Sequence, residues 1–149
     1  MTKISDAPTD PTARIIGTAG NAGEVWRAEV GTEPSDLIAL RAALRKFALE
    51  RDWEKFHNPK NLAIAMSVEA SEVLEHFQWL TPEEAADLSP ARRQAVADEL
   101  ADVLIYLIRL ADILDVDLGL AVAEKLEKNA LKYPVDRVRG KALKYNEYK

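Results

Sequence analysis

Residues 91–114 read ARRQAVADELADVLIYLIRLADIL, and the pattern of this stretch decides the fold. Apolar residues fall on nearly every side of a 3.6-residue period, while Ser89-Pro90 just ahead supplies a cap and a proline at the first helical turn. The uncharged centre, Val103 to Ile108, is only six residues long. A membrane span needs about 20, so this is a helix for a protein interior. A helix that is apolar all round must be covered all round. Further helices of the same chain cover it partly, and a second copy of the chain does so better.

Working outward, the same punctuation recurs. Ser35 precedes DLIALRAALRKFALERDW, in which Leu37, Leu40, Leu44, Phe47 and Ala48 form one stripe fading near Asp52. After the aromatic loop WEKFHNP, Asn58 and Pro59 open KNLAIAMSVEASEVLEHFQW, which is expected to be helical through Trp79. Thr81-Pro82-Glu83-Glu84 reads as a capping box on a short helix. Asp117 caps LGLAVAEKLEKNALKY, and Pro134 stops it. The expected fold is all-α, with a four-helix-type antiparallel bundle at its core. Residues 1–34 hold four of the six glycines and three of the seven prolines, without helical period. They read as a loosely docked arm, with short strands conceivable around 13–16 and 25–30. The tail from Val135 shows no strong pattern.

Composition removes several functions. The 149 residues suit one domain, and 48% of them are hydrophobic, enough for a core. A net charge of −5 argues against a nucleic-acid partner. With no cysteine there is no disulfide, zinc–thiolate site or thiol nucleophile, and only His57 and His76 are left for imidazole chemistry. The first ten residues, MTKISDAPTD, carry no apolar signal region. No membrane partner is expected, and the expected location is the cytoplasm.

The anomaly is acidic. Glu69, Glu72 and Glu75 recur at three-residue spacing amid Leu62, Ile64, Met66, Val68, Val73 and Leu74. Glu99 and Asp102 repeat the spacing amid Val96, Leu100, Val103, Leu104 and Ile105. Residues three apart share a helix face. No Lys or Arg stands three or four residues from Glu69, Glu72, Glu99 or Asp102. Carboxylates set together in apolar surroundings repel one another unless a cation joins them. An all-oxygen set suits Mg²⁺, with Mn²⁺ or Ca²⁺ as alternatives. Taken singly, either pair is more often an ordinary solvated face. Glu75 is an outer-sphere acid, a general base or simply exposed.

Carboxylate-held Mg²⁺ usually meets phosphate oxygens. Lys125, Asn129 and Lys132 fall on one helical face and would supply the complementary charge, whereas Lys128 reads as paired with Glu124 or Glu127. No Gly-rich phosphate loop is present. Trp53 and Trp79 read equally as core plugs or as flat faces for a nucleobase, beside His57; Phe56 and Phe77 read rather as core plugs. Tyr106, four residues after Asp102, shares the acidic face.

V-E-A-S-E (68–72) followed after 26 residues by E-L-A-D (99–102) resembles the E-E-x-x-E…E-x-x-D signature of the MazG-like all-α nucleoside triphosphate pyrophosphatases. ERDWEKFHNPKNLAIAM, FQW, DELADVLIYL, VDLGLAV and NALKYP narrow the resemblance to the dCTP pyrophosphatase branch, over about residues 37–134. The resemblance implies Mg²⁺-dependent cleavage of a (deoxy)nucleoside triphosphate to monophosphate and pyrophosphate. It implies metal ligands at Glu69, Glu72, Glu99 and Asp102, with catalytic acids drawn from Glu69, Glu72 and Glu75. Base contacts map to Trp53, Glu54, Lys55, Phe56, His57 and Trp79. Further nucleotide contacts map to Tyr106, Lys125, Asn129, Lys132 and Tyr133. It also implies a homodimer or homotetramer with sites built by two chains. The domain is then 35–134, between the arm (1–34) and the tail (135–149). Two positions depart from the pattern: Val68 replaces the first signature Glu, and Leu44 stands where dCTP-type relatives carry a His. The rival readings are an enzyme for dUTP or phosphoribosyl-ATP, and a non-catalytic helical oligomerisation module.

Overall fold

The structure, a computed structural model, describes residues 37–142. The arm, its conceivable strands and the Ser35 cap lie outside the described residues. Six helices follow in order: α1 Leu37–Leu49, α2 Pro59–Glu75, α3 Pro82–Ala86, α4 Pro90–Ile113, α5 Leu118–Lys132 and α6 Val135–Val138. There is no strand among the described residues, so the fold is all-α as expected.

Local chemistry sets most of the boundaries. Asn58, Ser89 and Asp117 each accept a backbone N–H of the first turn of α2, α4 and α5. Thr81 and Glu84 complete a reciprocal capping box on α3. α2 stops at Glu75, four residues earlier than the sequence suggests. Gln78 N–H still reaches the Leu74 carbonyl, but Leu80 N–H turns back to Phe77. The chain unwinds here because Thr81 must be extended, both to cap α3 and to precede Pro82. α6 is a single turn within the tail.

α1 and α4 end alike. Asp52 and Asp115 take φ of +53°, and the next residue reaches back: Trp53 N–H to Ala48 C=O at 3.0 Å, Val116 N–H to Ala111 C=O at 2.8 Å. This is the Schellman closure, with aspartate where glycine is usual. At α1 it fixes the Trp53 backbone.

α4 is the axis. α2 packs along it most extensively, and α1 lies against it as well. α2 and α4 run antiparallel, so that Glu72 acts on Glu99 and Glu69 on Asp102, while His57 ahead of α2 lies near Arg109 late in α4. Among the described residues the buried apolar side chains are few: Ala43, Ala48, Leu62, Val96, Ile108 and Ala111. The outer side of α4 stays uncovered, with Leu100 54% exposed. α5 makes no packing of comparable extent with any helix and buries none of its residues; Leu120, Val122, Leu126 and Leu131 are exposed. Among the described residues no helix is long and apolar enough to cross a membrane.

Candidate functional site

The antiparallel α2–α4 pair brings the two acidic spacings together. Glu69, Glu99 and Asp102 each place a carboxylate oxygen within 4.8 Å of the others'. Glu72 stands close enough to repel both Glu69 and Glu99. Glu75 is exposed on the last turn of α2. Partial burial, then the neighbouring acids, hold the Glu69 and Glu99 carboxyls above the usual carboxylate range. No Lys or Arg forms an ion pair with any of the four among the described residues. His76 is the one basic group felt at the cluster, at Glu99. A dense, all-oxygen donor set with no Lys or Arg ion pair among the described residues fits a hard divalent ion such as Mg²⁺.

Beside the acids lies a cavity of about 280 Å³, lined by Leu44, Phe47, Ala48, Trp53, His57, Asp102, Ile105, Tyr106 and Arg109. Asp102 thus belongs to both the acid cluster and the cavity wall. Trp53 packs edge-on against Phe47 at 5.9 Å and against His57 at 6.3 Å. Burial, followed by the Arg109 charge, lowers the His57 pKa, so its imidazole is neutral near pH 7. Burial, then Glu69 and Asp102, raises the Tyr106 phenol.

The remaining expected contacts are less convergent. Phe56 is an exposed ring, not a core plug; the tight turn at 53–57 points it away from the cavity lining. Lys55 is held by Asp52 and lies 5.2 Å from the Phe56 ring. Glu54 is exposed and is felt at His57. Trp79 is 86% exposed beyond the end of α2 and is not part of the cavity. Lys125, Asn129, Lys132 and Tyr133 ride on or just past α5, which makes no extensive packing with the acid-bearing pair and buries none of its residues. Lys128 pairs with Glu124 at 3.6 Å, as its spacing suggests.

Sequence reasoning did not single out Phe47 or Arg109 as cavity residues. Arg109 is legible in retrospect: it interrupts the apolar run VLIYLIRLADIL seven residues after Asp102, on the same face. It is only 3% exposed, and its Nη1 donates to Asp112 at 2.6 Å. Asp112 also accepts from Arg45 Nη2 at 2.5 Å and Nε at 2.9 Å, and Arg41 stands 3.9 Å away. Burial pushes the Asp112 carboxyl up, but Arg45, Arg109 and Arg41 outweigh it and hold the group below its ordinary value.

The facing helices α2 and α4 thus set clustered carboxylates beside a cavity walled by aromatic rings. The chain belongs to the MazG-like family, which it matches over residues 64–147. It is 42% identical to dCTP pyrophosphatase 1 of Rattus norvegicus over 138 residues, covering 88% of this chain and 81% of the rat protein. It is 45% identical to dCTP pyrophosphatase 1 of Homo sapiens over 117 residues, covering 77% of this chain and 68% of the human protein. Among solved structures, it is similar to a pyrophosphatase from Archaeoglobus fulgidus, with a TM-score of 0.64 at 40% identity, over 70% of this chain and 98% of that one.

Proposed function

We propose that this chain, a nucleotide pyrophosphohydrolase by its family, converts dCTP or a modified dCTP to the monophosphate and pyrophosphate, serving nucleotide-pool sanitation in the cytoplasm. The observation that carries the reading is the convergence of Glu69, Glu99 and Asp102, with Glu72 beside them, and no Lys or Arg ion pair to any of them among the described residues. These four acids would hold Mg²⁺, with Mn²⁺ a substitute. Bound there, such an ion neutralises phosphoryl charge and acidifies water.

The chain's own groups do the rest. Glu72 or Glu75 takes a proton from the attacking water. The water oxygen bonds to the α-phosphorus in line, the bond from that phosphorus to the bridging oxygen breaks, and pyrophosphate departs with the electron pair. Trp53 stacks on the base with His57 at its edge, both in the cavity wall; Glu54, Lys55, Phe56 and Trp79 lie outside that wall and would meet the nucleotide only at its open rim or from a second copy. Tyr106, one turn from Asp102, meets the sugar or α-phosphate. Lys125, Asn129, Lys132 and Tyr133 receive the departing charge.

α5 makes no extensive packing with its own bundle, so these last residues are proposed to come from a second copy in a homodimer or homotetramer. The uncovered side of α4 and the apolar residues of α5 supply that interface. The test is to incubate the protein and Mg²⁺ with each common dNTP and identify products. dCMP and pyrophosphate are expected; orthophosphate in place of pyrophosphate overturns the reading.

A further inference from the structure

Arg109 has features that a purely structural arginine does not need. Its side chain is 4% exposed, and a single contact, Nη1 to Asp112, accounts for its hydrogen bonding. Its Nε–H is buried with no hydrogen-bond partner among the described residues. His57 Nδ1 is the other buried side-chain atom in that condition among the described residues, and both residues line the same cavity. Native structures rarely keep such atoms unsatisfied unless something outside the chain completes them.

Charge points the same way. Asp112 is shared by Arg45, Arg109 and Arg41, so one carboxylate faces three guanidinium groups. Arg45 and Arg41 reach solvent, whereas Arg109 does not. The interior member is under-neutralised and favours an electron-rich acceptor. Asp102 and Arg109, seven residues apart on α4, stand about 10 Å apart along the helix axis. The cavity therefore spans from the acid cluster to a buried cation, with Leu44, Phe47, Trp53, Ile105 and Tyr106 as walls for a flat ring.

We infer that Arg109 determines base preference, donating Nε–H to N3 of a cytosine ring lying in this cavity. The inference rests on the function proposed above and specifies how its substrate is chosen. In cytosine N3 accepts a hydrogen bond. In uracil N3 carries a proton, and that N–H would face the guanidinium donor. The N3 acceptor is thus rewarded and the uracil edge penalised.

The experiment compares kcat/KM for dCTP and dUTP with Mg²⁺ in the wild type, Arg109→Met, Arg109→Lys and Arg45→Ala. Both Arg109 variants are expected to lose at least about tenfold of the dCTP preference, mainly through KM for dCTP, as befits a lost charge-assisted hydrogen bond. Lysine keeps a charge for Asp112 and so keeps the fold if methionine does not. Arg45→Ala loosens the Asp112 cluster from its solvent side and is expected to lower the melting temperature while leaving the dCTP/dUTP ratio unchanged. An unaltered ratio in an active Arg109 variant overturns the inference. So does an equal fall in Arg45→Ala, which would make the effect one of packing. A wild type that cleaves dCTP and dUTP equally overturns the inference alone. A wild type that releases pyrophosphate from no dNTP overturns the functional reading as well.

Discussion

Asp112 holds α1 to α4 from a position where only 3% of its side chain is exposed. Its partners keep the carboxyl ionised below its ordinary pKa. The stabilisation is therefore complete above about pH 4, the ordinary aspartate value, and is lost as pH falls through the depressed native value. Asp112→Asn is expected to cost about 3 kcal/mol at pH 7, since it leaves buried Arg109 without its counter-ion. The same variant should lose less stability on acidification than the wild type does, as urea titrations from pH 7 to pH 3 would show. The acid cluster behaves oppositely. Raised Glu69 and Glu99 carboxyls mean that the metal-free fold loses stability as pH rises from the ordinary glutamate range through their native values. Mg²⁺ should then raise the melting temperature more at pH 7.5 than at pH 5.5, because protons and metal compete for the same oxygens. Glu69→Gln and Asp102→Asn are each expected to abolish turnover and this Mg²⁺ shift while circular dichroism keeps its helical signal. Wild-type activity in either variant at saturating Mg²⁺ would remove them as ligands.

At the scale of the element, the caps were readable because capping is local chemistry. Asn58, Thr81, Ser89 and Asp117 each act on a residue three positions away, and that distance is visible in the sequence. The acidic spacing was readable for the same reason, as was the Lys128–Glu124 pair. The Arg45–Asp112 contact spans 67 residues, and nothing local announces it. The early end of α2 also escaped, because the cap demanded by α3 overrode a pattern that continues to Trp79. The paired Schellman ends of α1 and α4 could not be read either, since aspartate is an uncommon choice at positive φ. Asp115→Gly should relax that backbone and raise stability by about 0.5–1 kcal/mol, seen as a higher urea midpoint. Asp115→Val should lower it by more, since a β-branched side chain tolerates this φ poorly.

For the whole molecule, the deciding feature is how little one chain buries. Among the described residues six apolar side chains, none larger than Leu62 or Ile108, form the interior, while Leu131 is 84% exposed and Leu100 on α4 is 54% exposed. The all-α class was legible from periodicity, but the detachment of α5 was not: an amphipathic pattern shows that a helix needs a partner, never which one. If a second copy is that partner, the melting temperature should rise with protein concentration, which differential scanning fluorimetry over a hundredfold dilution series would reveal. A flat dependence, with a monomer at every concentration by sedimentation, would return Lys125 and Asn129 to the surface.

The separate position of α5 also has a genetic meaning. If, as proposed, the acids come from one copy and the lysine from another, two defective proteins carry different halves of the same workplace. Glu69→Gln and Lys125→Ala chains, each inert by itself, should recover part of the activity when unfolded and refolded together, because some mixed pairs reunite an intact set. Two damaged alleles in one cell would then rescue each other, an outcome closed to an enzyme whose working parts all reside on one polypeptide.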